Sequence, residues 1–168
     1  GTRLPKAPGS ATWKYAQPAG QTPVNATATH TTNLVAKNVN FLQTTAGVAI
    51  MREGKMVGGE FIDVIRDLDY LKDDIQKSIF EALVSAGITV GKIPLTDAGI
   101  AIIEAVLRGC LLRAVALGII NPDFVVTVPR ASEISVANRG LRKLTNVKFS
   151  CSLQGAVHSV EVTGVVTV

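Results

Sequence analysis

The chain has 168 residues, of which 47% are hydrophobic and 18% charged, with 17 basic and 13 acidic side chains. This composition fits a single globular domain, or one domain with extensions, and excludes a mostly disordered chain. The net charge of +4 is a small excess. A nucleic-acid-binding protein would be expected to cluster lysine and arginine with interleaved aromatic residues, and the sequence has no such stripe. Salt-sensitive binding to duplex DNA would be the test of that remote alternative.

The first part of the chain predicts little regular structure. Residues 1–28 are rich in glycine, proline, alanine and threonine, which predicts an extended, irregular lead-in. Because the chain starts at Gly1 and opens without a hydrophobic leader, we expect a processed chain or a fragment of a longer protein. Further on, a short apolar run followed by a turn around Gly54 predicts a small hairpin at Val48–Met51.

Two long helices follow. Apolar residues recur at spacings of three and four from Glu60 to Ser85, and Gly87 is a natural stop. Thr96 is a predicted N-cap of the second helix, with Asp97 in the first turn at the positive end of the helix dipole. This helix carries a second face of small residues, which predicts close backbone approach and packing on both sides: Ala101, Ala105, Gly109 and Ala116.

The second helix is also the only stretch with the length of a membrane span, at residues 98–120. It contains Glu104, Arg108 and Arg113. Each such charge near a bilayer centre costs about 2.5–3.5 kcal/mol on insertion scales. The sequence therefore favours a buried helix of a globular domain, with no membrane insertion.

The last third of the chain predicts strands. A short apolar strand is expected at residues 124–129, a short helix beginning at Ser132 or Ser135, and an alternating strand at residues 146–153. A turn at Gln154–Gly155 would lead into a terminal strand. The predicted fold class is α/β (α+β): two long helices packed on a small mixed sheet, with a C-terminal β-hairpin whose last strand is an extended arm.

The terminal strand raises the question of its partner. From residue 158 onward valines and polar residues alternate, so one face is apolar. A two-residue turn would leave residues 164–168 without a partner on the preceding strand. Unpaired apolar strands are usually avoided, so we expect pairing with another subunit, or else cover from the strand at residues 124–128. The predicted intersubunit strand residues are Val160, Val162, Val165, Val166 and Val168.

Candidates for catalysis or metal binding are weak. His30 and His158 are the only histidines, and Cys110 and Cys151 sit at apolar positions of periodic segments, which favours buried free thiols. Five carboxylates on the first long helix could bind a cation or act in a small metal-dependent enzyme. Interspersed Arg66, Lys72 and Lys77 favour a solvated helix face instead. Those carboxylates are Asp63, Asp67, Asp69, Asp73 and Asp74.

Several motifs together resemble the C-terminal part of contractile tail sheath proteins of bacteriophages. They are "GGEFIDVIR", the Asp-aromatic-Leu at Asp69–Leu71, "KIPLTDAGIAIIE", and the "L-x-GAVH" turn before the final valines. The similarity extends from about Trp13 to Val168. Sheath subunits of this family are longer than this chain, which agrees with the expectation of a fragment.

The resemblance implies a structural subunit that is not an enzyme and binds no cofactor or metal. Such a subunit polymerises helically, as stacked rings around a tail tube, with strands exchanged between copies. Contraction then drives the tube into the host. The implied partners are further copies of the chain, the tube protein, and baseplate and tail terminator proteins, with no nucleic acid. The implied location is the virion tail, assembled in the host bacterial cytoplasm.

Within this framework the chain divides into an irregular lead-in at residues 1–28, a core domain at residues 29–155 and an arm strand at residues 156–168. Arg139, Arg142 and Lys143 have helical spacing and would share one side of a short helix. One hypothesis is that this basic patch faces the tube, and the alternative is a solvated helix face or salt bridges to the aspartates of the first long helix. A tailocin or a type VI secretion-like machine is the alternative particle for the same subunit.

Overall fold

A computed structural model describes residues 7–10 and 12–164 of the chain. These residues form two compact units, one of residues 12–64 and 155–164, the other of residues 7–10 and 65–154. The elements in chain order are α1 (Ala28–Ala36), β1 (Leu42–Thr45), β2 (Val48–Met51), α2 (Ile62–Thr89), α3 (Asp97–Ala116), β3 (Val125–Thr127), a 3₁₀ turn (Ala131–Glu133), α4 (Val136–Gly140) and β4 (Lys148–Ser150).

The first unit is built around a β-hairpin. β1 and β2 pair antiparallel, with Thr45 opposite Val48. The intervening Ala46 and Gly47 have φ angles of +48° and +80°, the left-handed pair that a tight hairpin turn requires. The predicted strand at β2 is confirmed, but the predicted turn around Gly54 was wrong. The two-residue turn of the hairpin precedes β2, whereas the prediction placed the turn after β2.

The lead-in covers both edges of this hairpin. Val24 N donates to Leu42 O at 2.8 Å on the β1 side. On the β2 side, Tyr15 N donates to Met51 O at 3.0 Å and Met51 N donates to Ala16 O at 2.8 Å. An irregular segment therefore satisfies three of the backbone groups that the edges of a two-stranded sheet would otherwise expose.

The second unit contains the main core, in which α2 packs on α3. The apolar stripe of α3 is largely buried, whereas in α2 Leu71 is the buried apolar residue and Leu68 and Leu83 are exposed. Helix α3 begins as predicted, with the Thr96 hydroxyl accepting from Gly99 N at 3.4 Å. Helix α2 runs through Gly87 to Thr89, past the predicted stop. The buried cluster consists of Leu71, Leu107, Leu111, Ala114, Ile119, Ile120 and Val126.

The predicted small-residue packing face of α3 was wrong. Ala101, Ala105 and Ala116 are exposed. A Cβ placed on Gly109 would have the Arg113 guanidinium at 3.9 Å as its nearest neighbour. The helix packs mainly through its apolar stripe, because burial of large aliphatic side chains stabilises the fold more than burial of alanine.

The second unit also carries an antiparallel strand pair. Val126 on β3 lies opposite Phe149 on β4, and the pairing extends as an isolated bridge between Ile120 and Leu153. The strands predicted at residues 124–129 and 146–153 therefore exist in shortened form and pair with each other. The α+β class is confirmed, and the part of the chain that the structure describes has two small antiparallel sheets in place of the predicted mixed one.

The predicted C-terminal hairpin is absent from the described part of the chain. Residues 155–164 form no strand there, since β4 takes β3 as its partner. Residues 165–168 lie outside the described residues. The second helix ends at Ala116, and no helix among residues 7–10 and 12–164 combines the length and apolarity needed to cross a bilayer.

Candidate assembly surfaces

The arm begins with an anchored histidine. The Phe61 ring meets the His158 ring edge-on at a centroid distance of 4.5 Å, and the Tyr15 ring does so at 6.5 Å. Thr12 Oγ1 lies 3.1 Å from His158 Nε2, and the Tyr15 hydroxyl donates to His158 O at 2.5 Å. Edge-to-face aromatic pairs and these hydrogen bonds hold the base of the arm within the first unit.

Beyond His158 the described arm is exposed. Val160 is 77% and Val162 85% exposed, as is Val157 on the other side of the histidine. Isolated exposed valines are common, but Val160 and Val162 lie two residues apart and would share one side of an extended strand. The predicted intersubunit residues Val165, Val166 and Val168 lie outside the described residues. Strand pairing of the arm with another copy stays a prediction.

The β3–β4 pair offers edges to which a further strand could bind. Its sheet has only these two strands among the described residues, so each has an edge without a strand partner in that part of the chain. Val125 is 57% and Phe149 42% exposed. Unpaired N–H and C=O groups beside exposed apolar side chains favour the addition of a strand.

The predicted basic patch is only partly helical. Arg139 lies in α4, which is capped by the Ser135 hydroxyl and ends at Gly140. Arg142 follows in a left-handed conformation, with φ +52°. The three side chains therefore do not share one helix face, which corrects the prediction made from their spacing. Arg139, Arg142 and Lys143 are nevertheless all exposed, and their contact with a tube stays a prediction.

Arg139 differs from the other two basic residues in being held by the backbone. Its Nε donates to Ile134 O at 3.2 Å, and its Nη2 donates to Ala131 O. The guanidinium thus satisfies carbonyl groups at the start of the short helical segment. Arg142 and Lys143 form no ion pair within the residues that the structure describes, which leaves their charges open to an external partner.

The carboxylates of α2 have separate structural roles. Asp67 Oδ1 accepts from Gly9 N at 2.7 Å. Asp73 pairs with Lys77 at 2.7 Å, and this hydrogen bond raises the pKa of the lysine ammonium. Asp74 pairs with Arg113. No cluster of three or more potential metal ligands occurs among residues 7–10 and 12–164. Asp69 and Asp73 are exposed, as predicted for a solvated helix face, whereas Asp67 is buried, which corrects the prediction for that residue.

The structure brings together two features that the sequence did not predict. One is the cluster of Thr12, Tyr15, Phe61 and His158, whose members are far apart in sequence. The other is an apolar groove in the second unit bordered by Arg142 and Lys143. The sequence held one indication of the cluster, because His158 is a polar residue on the otherwise valine-rich face of the predicted terminal strand. The sequence held no indication of the groove, since the walls of the groove come from separate segments.

Comparison with known proteins identifies sheath proteins as similar. Residues 62–124 match the family described as E217 tail sheath protein gp31-like, C-terminal domain. This segment covers α2, α3 and the approach to β3. No curated protein sequence matches the chain at a significant level. The resemblance to tail sheath proteins that the sequence motifs predict is confirmed for this region.

A solved structure shares the fold. The cryo-EM structure of the anti-feeding prophage (AFP) helical sheath in the contracted state matches with a TM-score of 0.66 and 13% identity. The match covers 94% of this chain and 45% of the sheath chain. The present chain thus spans less than half the length of that sheath subunit. At this identity the likeness shows a common fold.

Proposed function

We propose that this chain is part of a structural, non-enzymatic subunit of a contractile tail sheath. The observation that carries the proposal is the match of residues 62–124 to a tail sheath C-terminal domain, and the fold shared with the AFP sheath supports it. The subunit would polymerise helically around a tail tube and bind baseplate and terminator proteins at the ends. It would be assembled in the host cytoplasm and would contract to drive the tube into the host.

In this proposal the core at residues 29–155 forms the lattice, and the arm at residues 156–168 links neighbouring copies, with residues 1–28 as the lead-in. Two observations support strand exchange. Val160 and Val162 are exposed, and β3 and β4 each have an edge without a described strand partner. Pairing would bury the valines and satisfy backbone groups, at about 1 kcal/mol net per hydrogen bond.

The experiment compares variants of the full-length subunit that contains this chain, coexpressed with its tube protein. Val160→Asp with Val162→Asp places charges in the proposed strand, whereas Val57→Asp alters a turn valine that is 91% exposed. Electron microscopy should show sheaths for the wild type and Val57→Asp, and dispersed subunits for the arm variant. Sheaths of normal length from the arm variant would contradict strand exchange, and wild-type subunits that never form tubes would contradict the sheath function.

The particle that carries the sheath is a separate question. A tailocin or type VI secretion-like machine is the alternative to a phage tail, and the fold shared with the AFP sheath is compatible with either. Purified native particles distinguish the alternatives. Sheathed tails attached to DNA-filled capsids indicate a phage, and sheathed tubes without capsids indicate one of the other machines.

A further inference from the structure

The second unit contains an apolar groove of about 440 Å³. Its walls come from the C-terminal half of α2, the segment that precedes α3, the first turns of α3, and residues 142–147. A single chain leaves this apolar surface open, and water in such a groove is displaced favourably by an apolar partner. The side chains that matter for the argument are Ile79, Leu83, Ile93, Leu95, Leu144 and Val147.

Two basic side chains, those of Arg142 and Lys143, lie at the border of the groove. Arg142 N donates to Arg139 O at 3.0 Å, and Lys143 N donates to Asn138 O at 2.9 Å. These bonds fix the backbone of the turn that carries both side chains. Neither side chain forms an ion pair with a described residue. An apolar floor bordered by free cations suits a segment that is apolar on one side and acidic on the other.

The arm has this pattern. Val160 and Val162 flank Glu161, and alternation along an extended strand places the two valines on one side and the carboxylate on the other. Glu161 is the only aspartate or glutamate from residue 155 to residue 168. All three residues are exposed. With the valines on the floor of the groove, Glu161 would point outward, at the level of the bordering cations.

We propose that the groove binds the arm of a second copy of this chain, with Glu161 of that copy opposite Arg142 and Lys143. This inference rests on the proposed sheath function and specifies where the exchanged arm docks. The high exposure of Val160 and Val162 in the single chain favours a second copy over the chain's own arm. Val147, which lines the groove, leads directly into β4, so a docked arm could also hydrogen-bond to that strand's outer edge.

The anchor of the arm limits where the groove of the second copy can lie. His158 anchors its base in the first unit of its own copy. The three residues from His158 to Glu161 would span about 10 Å as an extended strand. Glu161 lies three residues beyond the anchor, so the anchor would also set the register in which the carboxylate meets the groove.

A charge exchange tests the pairing in full-length subunits. The arm variant is Glu161→Lys, and the groove variant is Arg142→Glu with Lys143→Glu. Lys72→Glu, on the exposed surface of α2, controls for charge reversal as such. Thermal unfolding of each purified variant verifies that it is folded. Assembly is measured as the number and length of sheaths by electron microscopy, with and without the tube protein.

We expect the arm variant and the groove variant to lose sheath formation when each is expressed alone. An equimolar mixture of the two should assemble, because each lysine-bearing arm finds a glutamate-bearing groove on the other copy, and each native arm finds a native groove. The triple variant, with both changes in one chain, should also assemble. Normal assembly of either variant alone, or no recovery in both the mixture and the triple variant, would overturn the proposal.

The remaining outcomes identify other occupants. Recovery in the triple variant but not in the mixture would show that the arm binds its own groove, which contradicts a second-copy contact. A groove variant that forms empty sheaths but no filled ones would instead support the predicted tube contact. If Val160→Asp with Val162→Asp abolishes assembly while Glu161→Lys has no effect, strand exchange stands and the groove pairing is wrong. If the valine variant also assembles, strand exchange itself fails.

Discussion

Arg113 on α3 donates through Nη2 to both carboxylate oxygens of Asp74 on α2, each at 3.0 Å, and to the Ser78 hydroxyl at 2.7 Å. The hydrogen bond to Asp74 raises the pKa of the guanidinium, which is charged at all accessible pH values. The pair joins the two longest helices at the border of the core. Half of the Arg113 side chain is exposed, whereas Asp74 is 17% exposed.

We expect Arg113→Ala to lower the free energy of unfolding by about 1 kcal/mol, since a charge-assisted contact between helices is lost but solvent screens part of it. Arg108→Ala is the matched control, because Arg108 pairs with Glu104 within one helix at 2.8 Å and such pairs contribute about 0.3–0.5 kcal/mol. Urea unfolding followed by circular dichroism measures both. Equal losses of unfolding free energy would show that the contact between the helices stabilises the fold no more than an ion pair within one helix.

Gly99 is required by close packing at the start of α3. A Cβ at this position would lie 1.8 Å from Pro94 O, so Gly99→Ala should destabilise the chain by about 1–3 kcal/mol through displacement of the backbone. Gly87, within α2, has open space around it. Gly87→Ala should therefore stabilise the chain by about 0.5–1 kcal/mol through helix propensity. Thermal unfolding of the two variants should show shifts of opposite sign, and shifts of the same sign would contradict this packing.

Adjacent leucines on α3 allow a test of the core. Leu111 is fully buried, whereas Leu112 is 59% exposed. Leu111→Ala should cost about 2–5 kcal/mol because it leaves a cavity among α2, α3 and β3. Leu112→Ala should change stability by less than about 0.5 kcal/mol, as at other surface positions. Denaturant unfolding gives both values, and a comparable cost for Leu112→Ala would mean that its exposed face is covered in solution.

The two thiols should react differently. Cys110 is fully buried and Cys151 is exposed, which corrects the expectation that both are buried. The native chain should therefore present one reactive thiol to a disulfide reagent, and the denatured chain two.

Local burial raises the pKa of the Cys151 thiol, so less thiolate exists at neutral pH than for free cysteine. Labelling should be slower than that of free cysteine at pH 7 and accelerate as the pH rises through the raised pKa.

Labelling rates measured from pH 7 to pH 10 provide this comparison, and Cys151→Ser is the control that should remove the labelling of the native chain. Rapid labelling of Cys110 in the native chain would contradict the packing of α3 against α2. A further decrease in the labelling rate of Cys151 on assembly into sheaths would show that assembly covers the end of β4.

The sequence alone determined the local features of the long helices. The three- and four-residue spacing of apolar residues predicted α2 and α3, and Thr96 identified the start of α3, because periodicity and capping depend on neighbouring residues only. A short apolar run predicted the strand at β3 and alternation predicted the strand at β4, for the same reason. The motifs around α2 and α3 also carried the sheath resemblance, which the match of residues 62–124 confirmed.

Only the tertiary structure decided which segments meet. Alternation marks a strand but does not name its partner, so the pairing of β4 with β3 instead of the arm was not predictable from the pattern. Two glycines of α3 also show that a sequence pattern does not identify which segments come into contact. The sequence suggested close approach at Gly109, but the neighbouring backbone lies against Gly99. The groove beside Arg142 and the cluster around His158 likewise join residues distant in sequence, and such contacts depend on the packing of the whole chain rather than on local propensity.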